Sequence, residues 1–345
     1  MTEERILDMA RRLTQVHGVS GREYPAAAAA AELLAPMGQV EISPLGSVCC
    51  TVCPGAPDAP HIVLEAHLDQ IGLIVTHLEE NGFLRVANVG GFDRRLLPAA
   101  PVTIHTENGD FPGVIASVPP HLASDEDREK PPKIEDLLID TGCSTETARQ
   151  RFAPGDLITL DGHFTLMNEK YLVSNALDDR IGCVSVIAAA EELHRLQPGW
   201  KVTVLLASME EIGGGGAPTS AFHLTPDQAI AVDVTFGNGF GIPEHRCRKM
   251  GGGPCVGIAP AVNREMASRL MAVAEAAGIP WQPEVMGGRT GTDTDAIASS
   301  GRGVRTALLS IPQRNMHTIV ETIHLDDVIN TARLMAEYVK EGAKA

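Results

Sequence analysis

The chain has 345 residues, 44% of them hydrophobic and 21% charged, with 28 Lys and Arg against 44 Asp and Glu for a net charge of −16. That is the composition of an ordinary folded protein of one to three domains, and it excludes disordered, collagen-like and low-complexity readings. A nucleic-acid backbone needs a basic surface and is not an expected partner. No apolar stretch reaches the roughly 18 residues of a membrane span.

In chain order, residues 3–16 and 25–35 predict helices. Leu7, Met9, Ala10 and Leu13 give the first an apolar face, and Pro25 suits the first turn of the second. The N-terminus lacks the basic end and apolar core of a signal peptide. Seven cysteines are an odd number and no disulfide framework, so a cytoplasmic protein with reduced thiols is expected. Residues 47–53 form a β-like run, and HIVLEA at 61–66 predicts a buried strand running into His67-Leu68-Asp69.

Between 71 and 168 short apolar runs alternate with turn signals: IGLIVTHL, Asn81-Gly82, FLRVANV, Gly90-Gly91, VTIHT, Asn108-Gly109, FPGVIASV. Asn-Gly between such runs marks hairpins, so a small all-β domain is expected, with a charged surface loop and a short helix over 124–137. From 170 onward strands and helices alternate. YLVSNA precedes a helix over 178–196, KVTVLLAS a short helix over 216–223, and AIAVDVTF a helix over 263–278. WQPEV, a helix over 294–300, the strand GVRTALLSI and a final helix from Leu325 follow. The fold class is therefore α/β: a mostly parallel sheet flanked by helices, formed by residues 1–70 and 169–345, with a barrel-like β domain inserted at 71–168.

Acidic and histidine residues gather at the ends of the predicted strands: His67 and Asp69, Asp178-Asp179, Glu210-Glu211, Asp233 and His317. Ligands of open α/β sheets bind at the carboxyl ends of strands. Converging carboxylates repel one another unless cations sit among them, and two histidines among carboxylates suit zinc or a similar divalent metal. Taken singly, each position reads more simply as a cap, a solvated turn or a core histidine; their common placement favours a metal site.

The segments AHLDQIG, NALDDRIG, MEEIGGGGA, AVDVTFG, GRTGTDTDA and IPQRNMHTIVE, in this order, resemble the glutamyl-aminopeptidase and tetrahedral-aminopeptidase family of binuclear metallopeptidases, some of whose members have been labelled endoglucanases. GGFDRRLLPAAPVTI and PPHLASDEDREKPPKIEDLLIDTG resemble its inserted domain. The resemblance implies two divalent ions per subunit, zinc with cobalt or manganese as alternatives. His67 and Asp233 would hold one, Glu211 and His317 the other, and Asp178 would bridge both. It further implies Glu210 as general base and Asp69 as the group orienting His67. Ions roughly 3.5–4 Å apart share a carboxylate and a water, acidify the water and polarise a carbonyl, while a glutamate moves its proton to the leaving amine. Neighbouring acids with different roles require a turn at 210–211, which Gly213–Gly216 favour. Peptide substrates with free amines, dimerisation through the β domain and a tetrahedral dodecamer are the accompanying expectations.

The chain departs from the family pattern at Gln70, at Gly213–Gly216 and at Asn315, all near the site, so side-chain preference is left open. A metal-dependent deacylase on the same site is the first rival; a glycosidase, which uses two carboxylates and no metal pair, and a non-enzymatic scaffold are weaker. Cys50 and Cys53 form a CxxC without a second pair and read as strand cysteines. Gly251-Gly252-Gly253 reads as a loop or a cradle for a substrate anion. His121 reads as a surface or site-approaching histidine. Thr292 and Asp293 read as substrate contacts or helix caps.

Overall fold

A computed structural model describes residues 2–119, 121–122, 124 and 130–342. Three separate apolar clusters are present among the described residues. The largest, and a small one around Val63, Leu205, Ala217 and Ile297, pack on an eleven-stranded mixed sheet; the other lies inside a closed six-stranded antiparallel barrel.

The sheet is parallel at its centre. Strands Lys201–Ala207, His61–His67, Gln228–Phe236 and Arg305–Arg314 lie side by side in that order, all pointing the same way. HIVLEAH is buried along its whole length, as a strand covered on both faces must be. The flanks are antiparallel. On one side Val48–Cys53 pairs with Lys201–Ala207 and Val40–Ile42. On the other, Glu321–His324 runs against Arg305–Arg314, and Tyr171–Ser174 runs against Glu321–His324. Two reversals restore direction, so Tyr171–Ser174 ends at the same sheet edge as the central four.

Helices cover both faces. Glu3–Thr14 starts at Thr2, whose hydroxyl accepts the Arg5 N–H, and it buries Ile6, Met9, Ala10 and Leu13. Leu177–Leu196 is buried on nearly all sides and packs under His61–His67 and Gln228–Phe236. Arg180 within it is fully buried, its guanidinium donating to the carbonyls of Leu13, Val16 and Leu68. It thereby ties the first helix to the loop after His67.

The barrel closes in the order Gly72–Leu78, Phe83–Val89, Leu138–Asp140, Gly109–Ile115, Pro101–Thr106, Leu157–Leu160. The first and last strands pair with each other, Leu73 opposite Ile158. A single-turn 3-10 helix, Ile134–Asp136, lies in the charged excursion; residues 125–129 of that expected loop, and the last two residues of the final helix expected over 325–344, lie outside the described residues. The structure adds the helix Thr145–Arg151 and the short strands Val40–Ile42, Leu138–Asp140, Thr165–Met167, Cys255–Ile258 and Glu321–His324.

Candidate metal centre and active site

His67, Asp178, Glu210, Glu211, Asp233 and His317 line one cavity of about 650 Å³ at the common strand edge. His67 is the last residue of its strand and Asp233 lies near the end of Gln228–Phe236. Asp178 opens the central helix, and its two oxygens face different histidines. Oδ1 is 3.1 Å from His67 Nε2 and Oδ2 is 3.4 Å from His317 Nε2. His317 Nε2 is also 3.4 Å from Glu211 Oε1. One atom each of His67, Asp178 and Glu211 lies within 4.8 Å of the others, as does one each of His67, Asp179 and Asp233.

Glu210 and Glu211 sit on a 3-10 turn, Glu210–Ile212, entered through Met209 with φ 64° and left through Gly213 with φ 110°. The left-handed exit is where glycine is needed. The two side chains therefore leave a turn rather than a pleat, and both reach the cavity.

Asp69 is fully buried behind His67. Its Oδ1 is 3.5 Å from His67 Nδ1, longer than a closed hydrogen bond. Its stronger contacts are elsewhere: it accepts the Ser20 hydroxyl at 2.5 Å and the N–H groups of Glu210 and Glu211 at 3.0 and 3.1 Å. Asp69 thus fixes the turn that presents both glutamates. Sequence reasoning missed Ser20, which reaches Asp69 across 49 positions.

Glu321 was missed as well. It is buried, and its carboxylate accepts the Asp178 N–H at 3.0 Å and the His317 N–H at 2.9 Å, one on each oxygen. Its position at the end of the quoted IPQRNMHTIVE segment was the available signal. The inserted barrel also reaches the site. A Cβ on Gly90 would lie 3.5 Å from Glu211 Cβ, and one on Gly91 would lie 3.3 Å from His317 Nδ1, so bare backbone forms that wall.

The electrostatics test whether cations fit. Burial opposes charge on the imidazoles, but Asp178 and its neighbours more than offset it. His67 is raised well above the ordinary histidine range and His317 to about 11. Burial raises Asp233 strongly, lifts Glu211, and pushes Glu210 up to about 7. Asp178, despite burial, is lowered by the two histidines. Buried oxygens of Asp179 and Glu65, and His67 Nδ1, have no hydrogen-bond partner. Carboxylates so crowded need positive charge between them, and the oxygen and nitrogen donors of this cluster suit divalent ions of the zinc class.

The other sequence candidates fall outside this cluster or at its rim. The Cys50 and Cys53 thiols approach different carbonyls, those of Leu34 and Leu193, and all seven cysteines are free. The N–H groups of Gly251 and Gly253 hold the chain's own Asp327 carboxylate at 2.7 Å each, so this loop does not offer them to a substrate. Thr292 lines the cavity and also caps the helix Asp293–Ala298. Asp293 lies buried close to Gly214, and His121 is exposed.

The profile of the M42 glutamyl aminopeptidase family matches residues 46–334. The chain belongs to that family. It is therefore a metallopeptidase of the aminopeptidase class. It is 32% identical to the lysyl aminopeptidase of Pyrococcus furiosus, over 97% of this chain and 96% of that one. Among solved structures it resembles aminopeptidase APDkam598 from the archaeon Desulfurococcus kamchatkensis, with TM-score 0.91 and 32% identity over 98% of this chain and 95% of the other. It also resembles the Pyrococcus horikoshii TET1 peptidase, which can assemble into a tetrahedron or a large octahedral shell, with TM-score 0.85 and 31% identity over 96% and 98%. The family expected from the motifs is the family found, and the fold agrees: a mixed α/β sheet with helices and an inserted antiparallel barrel.

Proposed function

We propose that this M42 enzyme hydrolyses the first peptide bond of peptides at a centre of two divalent ions. His67 and Asp233 would hold one, Glu211 and His317 the other, and Asp178 would hold both. The observation that carries the reading is the split of Asp178, with one oxygen towards His67 and the other towards His317. Zinc is the proposed metal, with cobalt and manganese as alternatives for the same donors. When bound, such a pair supplies Lewis acidity to a water and to the scissile carbonyl.

The protein's own residues do the rest. Glu210, lifted by burial to about 7, is suited to take a proton from the attacking water and deliver it to the leaving amine. Asp69 holds the Glu210 and Glu211 N–H groups, and Glu321 holds those of Asp178 and His317, so the donors are set before substrate arrives. The cavity continues past Thr235, Glu284, Met286 and Met316, giving room for the N-terminal side chain. The aminopeptidase relatives support a free-amine substrate, and the dodecamer and tetrahedral shell of the P. horikoshii TET1 enzyme support a larger assembly of this chain; that it is built from dimers joined through the barrel, residues 71–168, is part of the proposal.

The test is a panel of leucine, glutamate, lysine and alanine amides with free and acetylated amines, run on wild type and Glu210→Gln after chelation and metal return. Cleavage confined to free amines, dependent on metal and lost in Glu210→Gln, is expected. Cleavage of the acetylated amides would move the enzyme to the deacylases.

A further inference from the structure

A second group of metal-binding side chains lies at the seam between the catalytic body and the barrel. His17 is in the loop after the helix Glu3–Thr14. His105 is on Pro101–Thr106, and Asp110 is on Gly109–Ile115, directly opposite His105 in the hairpin. One ring nitrogen of each histidine and a carboxylate oxygen of Asp110 lie within 4.8 Å of one another. We propose that these three residues form a separate binding site for a divalent cation of the zinc class, joining the barrel to the catalytic body.

Two observations point there. His105 Nδ1 lies 2.8 Å from Asp110 Oδ1, while its Nε2 lies 2.9 Å from the Thr159 hydroxyl. Two ligands of one tetrahedral zinc ion, bonded at about 2.0 Å, stand about 3.3 Å apart, so the histidine and carboxylate are already spaced nearly as ligands are. His17 Nδ1 is buried with no hydrogen-bond partner, an uncommon state that a ligand relieves.

The His17 and His105 rings are stacked, centroids 3.8 Å apart and planes 18° from parallel. A ring nitrogen donates in its own plane, so a shared ion turns His17 out of the stack. Both histidines border cavities of about 560 and 410 Å³, which leave space for that rotation and for waters completing the coordination. Two nitrogens and one carboxylate suit zinc, cobalt or nickel better than calcium or magnesium, which prefer all-oxygen sites. Because His17 belongs to one unit and the other two donors to the barrel, binding favours the docked arrangement by mass action.

The experiment counts metal. Full-length wild type, His17→Gln and Asp110→Asn are stripped with chelator, equilibrated with buffered micromolar Zn²⁺, and assayed for zinc per chain by mass spectrometry. Wild type is expected to hold one ion more than either variant, whatever the catalytic centre holds. With Co²⁺ in place of Zn²⁺, the variants are expected to lose part of the visible absorption while keeping the remainder. Equal zinc counts in wild type and a folded variant would overturn the proposal. Asp110 is exposed, so Asp110→Asn gives the answer if His17→Gln fails to fold. Because the readout is the difference between chains, a failed aminopeptidase assay would not be mistaken for a failure of this site.

Discussion

Glu321 offers the sharpest test of how the catalytic donors are held. One of its oxygens accepts the Asp178 N–H at 3.0 Å and the other the His317 N–H at 2.9 Å. In Glu321→Gln the amide keeps one acceptor oxygen, but its NH₂ group points a donor at the second N–H. One hydrogen bond is lost and a buried N–H is left unsatisfied, at a cost of about 1.5–3 kcal/mol. At about 1.4 kcal/mol per tenfold change, that corresponds to roughly 10–100-fold, and it falls on the arrangement presenting Asp178 and His317 together. The expected result is a loss of that size in zinc affinity, measured by competition with a chromophoric chelator. At saturating metal, kcat is expected to return to within a few-fold of wild type, because Glu321 does not line the cavity that holds Glu210. A folded Glu321→Gln enzyme with a zinc constant within threefold of wild type would refute the reasoning.

Four further outcomes are expected. Ser20→Ala removes the 2.5 Å bond to Asp69, and kcat/KM should fall about tenfold for a loss of about 1.5 kcal/mol. A Cβ at Gly182 would stand 2.3 Å from both Asp179 oxygens, so Gly182→Ala should cost about 1–3 kcal/mol in urea unfolding; Gly287→Ala, with nothing within 4 Å, should stay within about 0.5 kcal/mol. Burial lowers His61 from 6.5 to about 4. The unfolded chain therefore takes up this proton first, and stability present above pH 6.5 is lost as pH falls towards 4. The drop between pH 7 and pH 5 should shrink by about 1 kcal/mol in His61→Gln, after allowance for screening, read from urea midpoints. Chelation should lower the thermal midpoint, and zinc should restore it, because the cations neutralise buried carboxylates; an unchanged midpoint would contradict a loaded centre.

Much of the architecture was legible because long elements carry either a period or an uninterrupted apolar run. HIVLEAH and AIAVDVTF read as buried strands, and the Asn-Gly turns marked the barrel hairpins. The strands of three or four residues, such as Val40–Ile42 and Leu138–Asp140, are too short to show one. The mostly parallel expectation applies to the four central strands and to the pair Cys255–Ile258 and Gln282–Val285, while the flanks of the sheet are antiparallel. At the site, looking past the carboxyl ends of strands singled out His67, Asp178, Glu210, Glu211 and His317. The same rule passes over Glu321, because its strand runs the opposite way and begins where the others finish. Ser20 and Gly90-Gly91 matter through partners far along the chain, which no local pattern reveals.

The barrel's route through the chain has a consequence for how the enzyme comes together. The polypeptide supplies His67 and Asp69, leaves for the barrel at Gly72, and returns before Asp178. Bringing the ends of that excursion together as a loose loop would cost about 4 kcal/mol of chain entropy. Pairing of Leu73 with Ile158 closes it within the barrel itself. A barrel that folds on its own account would deliver the two halves of the site on short tethers and would act as a folding clamp. Cutting the chain inside the barrel would leave no fragment with both histidines that face Asp178, and rejoining the pieces would depend on the barrel's strand pairing before any donor met its partner.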